Sequence, residues 1–352
     1  MLLDPAACYR ALLTRDARFD AASRAAYDRP PSSLRRAGGD GSAISLVLPF
    51  RPPYDWAAMI GFLAARAIPG VECATPGGYA RTITLGDAHG CIIVRPAAPH
   101  EAAHALVATI RFPVLTALPA IVARIRGLFD LGADPAVIGA HLSADPKLAA
   151  LVAARPGLRV PGAWDGFELA VRAILGQQIT VAAASRLAGR LVAAYGTPLP
   201  AGEPAGAGLR ALFPAPALLA DPGLAARLGM PRSRAGAIAA LAAAAVADPR
   251  LFATTLDPEA AVARLTALPG IGEWTAQYIA LRALRAPDAF PAADIGLLRA
   301  LATPAGRPTP REALARASVW HPWRAYAALH LWTANASPAA PTMEAAHGVP
   351  AL

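Results

Sequence analysis

Cysteine is nearly absent from this chain. The three that occur, Cys8, Cys73 and Cys91, are odd in number and have no CxxC spacing, which fits a reducing compartment better than a disulfide scaffold and argues against a structural zinc site. Lysine is scarcer still: Lys147 stands alone, so the 33 basic residues are otherwise arginine. Acidic residues number only 24, which leaves a formal charge of +9. Long apolar runs are missing too. Stretches such as Ala237 to Val246 fall far short of the roughly 20 residues that span a bilayer. Asp4, Arg10, Arg15, Asp16 and Arg18 interrupt any signal-peptide core. These absences predict a soluble, cytoplasmic protein with no membrane partner, no metal and no cofactor.

What is present is a chain of 352 residues, 55% apolar, long enough for two or three domains with real cores. The arginine excess points to a polyanionic partner, because a guanidinium pairs with phosphate in a planar two-bond geometry. The same Arg-, Ala- and Pro-rich composition also arises in GC-rich genomes, so charge alone leaves both readings open.

The pattern along the chain predicts an α+β fold: a small N-terminal α+β domain followed by a two-lobed, all-helical domain. Residues 1–42 read as an appendage that ends in a flexible Gly-containing linker. In residues 43–125, strands are predicted over 43–48, 79–85, 89–95 and 105–112, with a helix over 54–67. Beyond about residue 115 apolar residues recur at three- and four-residue spacing, as in 164–195 and 260–284, which predicts helices through 126–340 before a tail at 341–352.

Leu268-Pro269-Gly270-Ile271-Gly272 is the most informative segment. It places a tight turn between two helical patterns, and its two glycines let backbone N–H groups face a phosphate. An ordinary helix-helix corner uses the same residues. Asp294 follows Gly272 by 22 residues, room for one helix and one loop, and opens the next helix. A carboxylate beside a DNA-binding hairpin suits cleavage through a sugar cation, which an anion stabilises. Asp is equally common as a helix N-cap, and the two roles are compatible.

Segments 268–282 and 290–299 resemble the hairpin and catalytic-Asp loop of the helix-hairpin-helix-GPD DNA glycosylases, and the AlkA-type DNA-3-methyladenine glycosylase II branch matches best. Phe50-Arg51-Pro52-Pro53-Tyr54-Asp55-Trp56, Leu175-Gly176-Gln177-Gln178-Ile179-Thr180 and Pro322-Trp323-Arg324-Ala325-Tyr326 extend the similarity from about 46 to 335, in the family's order.

The resemblance implies that Asp294 is the catalytic carboxylate. It implies that Trp274, Trp332, Tyr278 and Phe62 line an aromatic cleft for a flipped, alkylated purine, although an aromatic at helical spacing, such as Tyr278 or Phe62, is more often core. Gln178 falls at the family's DNA wedge position, where Leu is common; a polar residue facing solvent at a helix start is the alternative. Trp274 stands where strand-nicking members carry a Schiff-base Lys, so the expected enzyme is monofunctional. By resemblance it is a monomer acting on double-stranded DNA with alkylated bases. Ala293 replaces an acidic residue, and Ile295 an aromatic, that relatives often carry. Residues 4–20 are similar to the opening of Ada-type regulators and 27–36 resemble the end of an AraC-type DNA-binding domain, with the zinc cluster and recognition helices missing between them, which implies a remnant in which Arg35 and Arg36 add only nonspecific phosphate contacts. A non-catalytic hairpin clamp and a regulator are the rival functions; neither needs an aspartate beside an aromatic cleft.

Overall fold

The computed structural model describes residues 35–36, 43–199, 208–221, 223–254, 257–304 and 306–335. The regulator-like segment, apart from Arg35–Arg36, and the tail at 341–352 lie outside these described residues.

Strands β1 (Arg35–Arg36), β2 (Ala43–Pro49), β3 (Glu72–Thr75), β4 (Gly78–Leu85), β5 (Ala88–Pro96) and β6 (Ala105–Arg111) form one antiparallel sheet in the order β1-β2-β6-β5-β4-β3. Arg35 and Arg36 pair with Ser45 and Ile44, so their backbone is an edge of this sheet. The helix α1 (Trp56–Ala64) starts later than its pattern predicts because Asp55 caps it, accepting from Ala58 N at 2.8 Å. Strand β3 escapes the sequence pattern. It carries Glu72, a buried carboxylate where an apolar residue is the usual marker.

The helices follow in order: α2 (Leu118–Leu128), α3 (Pro135–Leu142), α4 (Pro146–Ala154), α5 (Gly166–Leu175), α6 (Val181–Tyr195), α7 (Leu224–Leu228), α8 (Arg232–Ala247), α9 (Pro258–Thr266), α10 (Glu273–Arg282), α11 (Ile295–Ala300), α12 (Pro310–Arg316) and α13 (Arg324–Asn335). Two-residue strands β7 (Thr197–Pro198) and β8 (Ala211–Leu212) interrupt this helical run, a pairing too short for any periodicity to announce. Asp-Pro dipeptides start α3, α4 and α9: the aspartate caps free amides and the proline occupies a position whose N–H needs no partner.

Three cores result. The first lies between the sheet, α1 and α2 and reaches Trp164; the position near 125 falls within α2, whose buried Ile121, Val122, Ile125 and Leu128 all pack on the sheet. The other two are the helical lobes, one built on α5, α6 and α8, the other on α4, α11 and α13. Helix α10 is their shared spine. Its Ala276 and Ile279 belong to one lobe, and its Ala280 and Leu281 to the other.

A buried ionic network fastens the sheet to the first lobe. Arg81 of β4 donates to Glu168 of α5 at 2.6 Å, and Arg172 of α5 reaches both Glu72 at 2.7 Å and Glu168 at 2.9 Å. Tyr79 donates to the remaining Glu72 oxygen at 2.6 Å. Burial would raise the Glu72 carboxyl, but Arg172 and Arg81 outweigh it and hold it below the ordinary range. Such a network breaks at high cost if one partner is removed, so it fixes how the two units meet. No described helix is long and apolar enough to cross a membrane.

Candidate active site

Helix α9 ends at Thr266, the turn runs through Leu268, Pro269, Gly270 and Ile271, and Gly272 opens α10. The two glycines serve different ends. Gly270 sits at φ +79, and a Cβ there would lie 2.4 Å from Ala237 Cβ of α8, so it is demanded by packing inside the protein rather than by an approaching phosphate. Gly272 has no atom within 4 Å of where its Cβ would stand. It supplies no side chain to cap α10, so the first N–H groups of that helix keep their hydrogen-bonding capacity for an outside acceptor.

Helix α10 presents Trp274 and Tyr278, four residues apart and so on one face. Their rings stack with centroids 5.5 Å apart and planes 8° from parallel, and Trp332 of α13 meets Tyr278 edge-on at 6.4 Å. These three rings, with Phe62 of α1, line a cleft of ≈ 770 Å³ between the lobes and the sheet domain. Tyr278 and Phe62 also pack against neighbouring cores, so both are wall and core at once.

Asp294 lies in the same cleft. It caps α11, accepting from Leu297 N at 2.9 Å through Oδ1. Trp332 Nε1 also donates to Oδ1, at 2.8 Å, and Trp274 Nε1 donates to Oδ2 at 2.9 Å. Cap and cleft carboxylate are therefore one residue, held by two wall indoles. Gly296 is needed for this closeness: a Cβ there would stand 2.9 Å from Asp294 Oδ1 and 3.2 Å from the Trp332 ring. Among the residues that line the cleft, Asp294 is the only carboxylate.

Gln178 is exposed in the turn between α5 and α6, at φ +60. It does not line the cleft, whereas its neighbours Ile179 and Val181 do, and both expose apolar surface. Gln177 fixes this turn to the hairpin, its Nε2 donating to Gly270 O and to Thr275 Oγ1, both at 3.1 Å. Arg234 donates to the Gln177 carbonyl at 2.7 Å.

Sequence reading missed Arg66 and Arg282 as cleft residues. Each follows a cleft aromatic by four positions, Phe62 and Tyr278, and that spacing was the available signal. Arg282 donates to Tyr278 Oη at 2.9 Å. Burial would raise the Tyr278 phenol, but the charges of Arg282 and Arg66 outweigh it and bring it below its ordinary value. Among the described residues no cluster of three or more His, Cys, Asp or Glu side chains is placed to hold a metal ion.

The profile of the AlkA N-terminal domain matches residues 45–165, and that of the HhH-GPD superfamily of base excision DNA repair proteins matches residues 171–325. The chain is 38% identical over 287 residues to DNA-3-methyladenine glycosylase 2 of Escherichia coli, spanning 81% of this chain and 95% of that enzyme. It is 41% identical over 326 residues to the probable bifunctional transcriptional activator/DNA repair enzyme AlkA of Mycobacterium tuberculosis, spanning 90% of this chain but only 63% of that longer protein. The fold resembles that of a 3-methyladenine DNA-glycosylase from Archaeoglobus fulgidus, with TM-score 0.68 and 21% identity over 81% of this chain and 96% of that one. A fold and cleft of this kind define a helix-hairpin-helix base excision repair protein. The chain belongs to the AlkA branch of the HhH-GPD superfamily.

Proposed function

We propose that this protein is a monofunctional DNA glycosylase that releases alkylated purines, 3-methyladenine and related lesions, from duplex DNA. One observation carries the reading: the carboxylate of Asp294, pinned by two indole N–H groups, is the lone anion of an aromatic cleft beside a hairpin with an uncapped helix start.

In this reading the hairpin holds a phosphate and Gln178 occupies the stack vacated by the flipped nucleotide. The rings of Trp274, Tyr278 and Trp332 form the wall against which the base lies; a purine made cationic by alkylation is attracted to such π-surfaces and is a good leaving group. The C1′–N bond breaks with its electron pair passing to the base. Asp294 stabilises the sugar cation and orients the water whose oxygen then bonds to C1′ and whose surplus proton passes to solvent, leaving the abasic sugar's hydroxyl. The indole of Trp274 cannot form an imine, so an abasic site is left unnicked. The working form is a monomer acting on DNA in the cytoplasm. A non-catalytic clamp would have no use for a carboxylate fixed by the walls of an aromatic cleft.

The test is release of free base from methylated duplex DNA by the wild type and by Asp294→Asn. The amide still caps α11 but carries no charge, so base release should fall by at least about a hundredfold while DNA affinity stays close to wild type. Borohydride should trap no enzyme-DNA adduct. Wild-type turnover by Asp294→Asn would remove Asp294 from the chemistry, and efficient trapping would end the monofunctional reading.

A further inference from the structure

A second cavity, of ≈ 760 Å³, opens between the sheet domain and the first lobe and shares no lining residue with the base cleft of ≈ 770 Å³. The buried ionic network separates the two: Arg81 and Glu168 line the second cavity, and Arg172 lines the base cleft. Nothing in the proposed base release uses this space.

The body of the cavity is aromatic. Trp164, Phe213 and Phe252 line it, the latter two only half-buried. Phe252 is pressed onto the start of α5, where a Cβ on Gly166 would stand 2.3 Å from Phe252 Cβ. All three carboxylates of the lining already have arginine beside them. Glu168 accepts from Arg81 and Arg172, Asp248 pairs with Arg264, and Asp165 lies 3.6 Å from Arg124. That last distance is too long for a hydrogen bond, and Asp165 keeps its own partner, Glu168 N at 3.0 Å. Arg124 donates through Nη1 to Trp164 O at 3.3 Å and so has donors to spare.

Arg285, the other cation of the rim, is exposed and takes part in no described salt bridge. The carboxylate that feels its charge, Asp130, is already bonded to Tyr326 Oη and Val160 N. The placement of Arg285 is built. Ala286 N donates to Ala280 O at 3.0 Å and closes α10 over a left-handed residue, a position that glycine usually fills. Here it is Arg285, at φ +56, so a side chain is kept where the backbone favours none. Its guanidinium lies over Gly127 of α2, where a Cβ would stand 3.0 Å from Nη1. Gly127 follows Arg124 by three residues, which brings Arg285 and Arg124 together on one face of α2.

We propose that this cavity is a second ligand site, which takes a small organic phosphate with a flat aromatic body, of the nucleoside monophosphate type. Arg285 and Arg124 hold the phosphate, whose several oxygens accept from both guanidiniums. Phe213 and Phe252 pack on the ring, and the volume is that of an ordinary small-molecule pocket. The site stands apart from the glycosylase reading, since neither arginine lines the base cleft.

Isothermal titration of the full chain with adenosine 5′-monophosphate, and separately with adenosine and with inorganic phosphate, tests this. The monophosphate should bind saturably, and more tightly than either of its parts. Arg285→Gly suits the left-handed turn, so the variant should melt no earlier than wild type, yet it should weaken monophosphate binding by about tenfold or more, the scale of one hydrogen bond to a charged group. Arg124→Gln should weaken it as well, and Arg124→Lys should restore part of the loss. If Arg285→Gly melts early, Arg285→Asn tolerates the same backbone without the charge, and its affinity is read in the same way. Failure of the monophosphate to saturate at millimolar concentration would overturn the proposal, as would adenosine or inorganic phosphate binding equally well. Binding that Arg285→Gly leaves unchanged would put the ligand in the base cleft instead and overturn it too.

Discussion

Trp332 Nε1 donates to Asp294 Oδ1 at 2.8 Å, so the last helix, α13, reaches across the cleft to set the direction of its only carboxylate. A carboxylate left to rotate would spend less time facing a sugar cation, and holding it in place removes that reorganisation from the reaction. Trp332→Phe keeps the ring wall and deletes the N–H. Single-turnover base release should fall about ten- to a hundredfold, matching the roughly 1.5–3 kcal/mol of a hydrogen bond to a charged group, while DNA affinity changes little. A rate within about twofold of wild type would show that Leu297 N and Trp274 suffice to orient Asp294.

The two hairpin glycines should fail in different assays. Gly270→Ala forces a side chain into the left-handed region and against Ala237, where its Cβ would be 2.4 Å away. It should lower stability by roughly 2–4 kcal/mol in denaturant melts, combining backbone strain with overpacking. Gly272→Ala meets no atom within 4 Å and should melt near wild type. Its cost should appear as weaker DNA binding, because the methyl group stands where a phosphate would approach the α10 amides. A fully stable Gly270→Ala protein would contradict the packing account.

How much of this was legible in the sequence depended on distance along the chain. The hairpin, Trp274 and Asp294 fall within 27 consecutive residues, so turn chemistry and helix length are enough to bring them together. Trp332 was reached through family resemblance alone; its bond to Asp294 depends on how α13 packs against α11. Arg66 and Arg282 carried only a local signal, their four-residue spacing from Phe62 and Tyr278; their meeting over Phe62 requires the sheet domain to dock on the helical lobes. Strand β3 was hidden for a related reason. Glu72 looks like a surface residue until Arg172, Arg81 and Tyr79 are seen around it.

Asp130 should make stability depend on pH. Burial raises its carboxyl from 3.8 to about 6, despite a hydrogen bond from Tyr326 Oη at 2.9 Å and the nearby charge of Arg159. A folded value above the unfolded one means that the native state holds the proton more tightly. The resulting stabilisation is fully present below 3.8 and is lost as pH rises through about 6. Asp130→Asn keeps an acceptor for Val160 N and Tyr326 Oη and never ionises. The melting temperature of the variant, relative to wild type, should therefore climb between about pH 4 and about pH 8. A difference that stays flat across that range would mean that Asp130 titrates as an ordinary carboxylate.

Gln178 offers a test in which stability and activity move in opposite directions. Its backbone at φ +60 is held by its neighbours, since Gln177 is tied to Gly270 and Thr275 and Thr180 caps α6. A non-glycine residue in that region costs about 1–2 kcal/mol, and such strain persists at sites where a side chain must project in a set direction. Gln178→Gly relieves the strain and loses some unfolded-state restriction in exchange, about 0.4–1 kcal/mol. The net expectation is a protein more stable by about 0.5–1 kcal/mol. The same variant has nothing to fill the gap left by a flipped nucleotide, so base release from well-paired lesions should slow more than release from mismatched ones, where the stack is already broken. Gln178→Leu should remain active, because its side chain still fills the space. Melting curves and single-turnover rates on matched and mismatched duplexes decide the matter. If Gln178→Gly slows both substrates equally, or neither, the wedge lies elsewhere on this turn, and Ile179, exposed and already lining the cleft, becomes the residue to test.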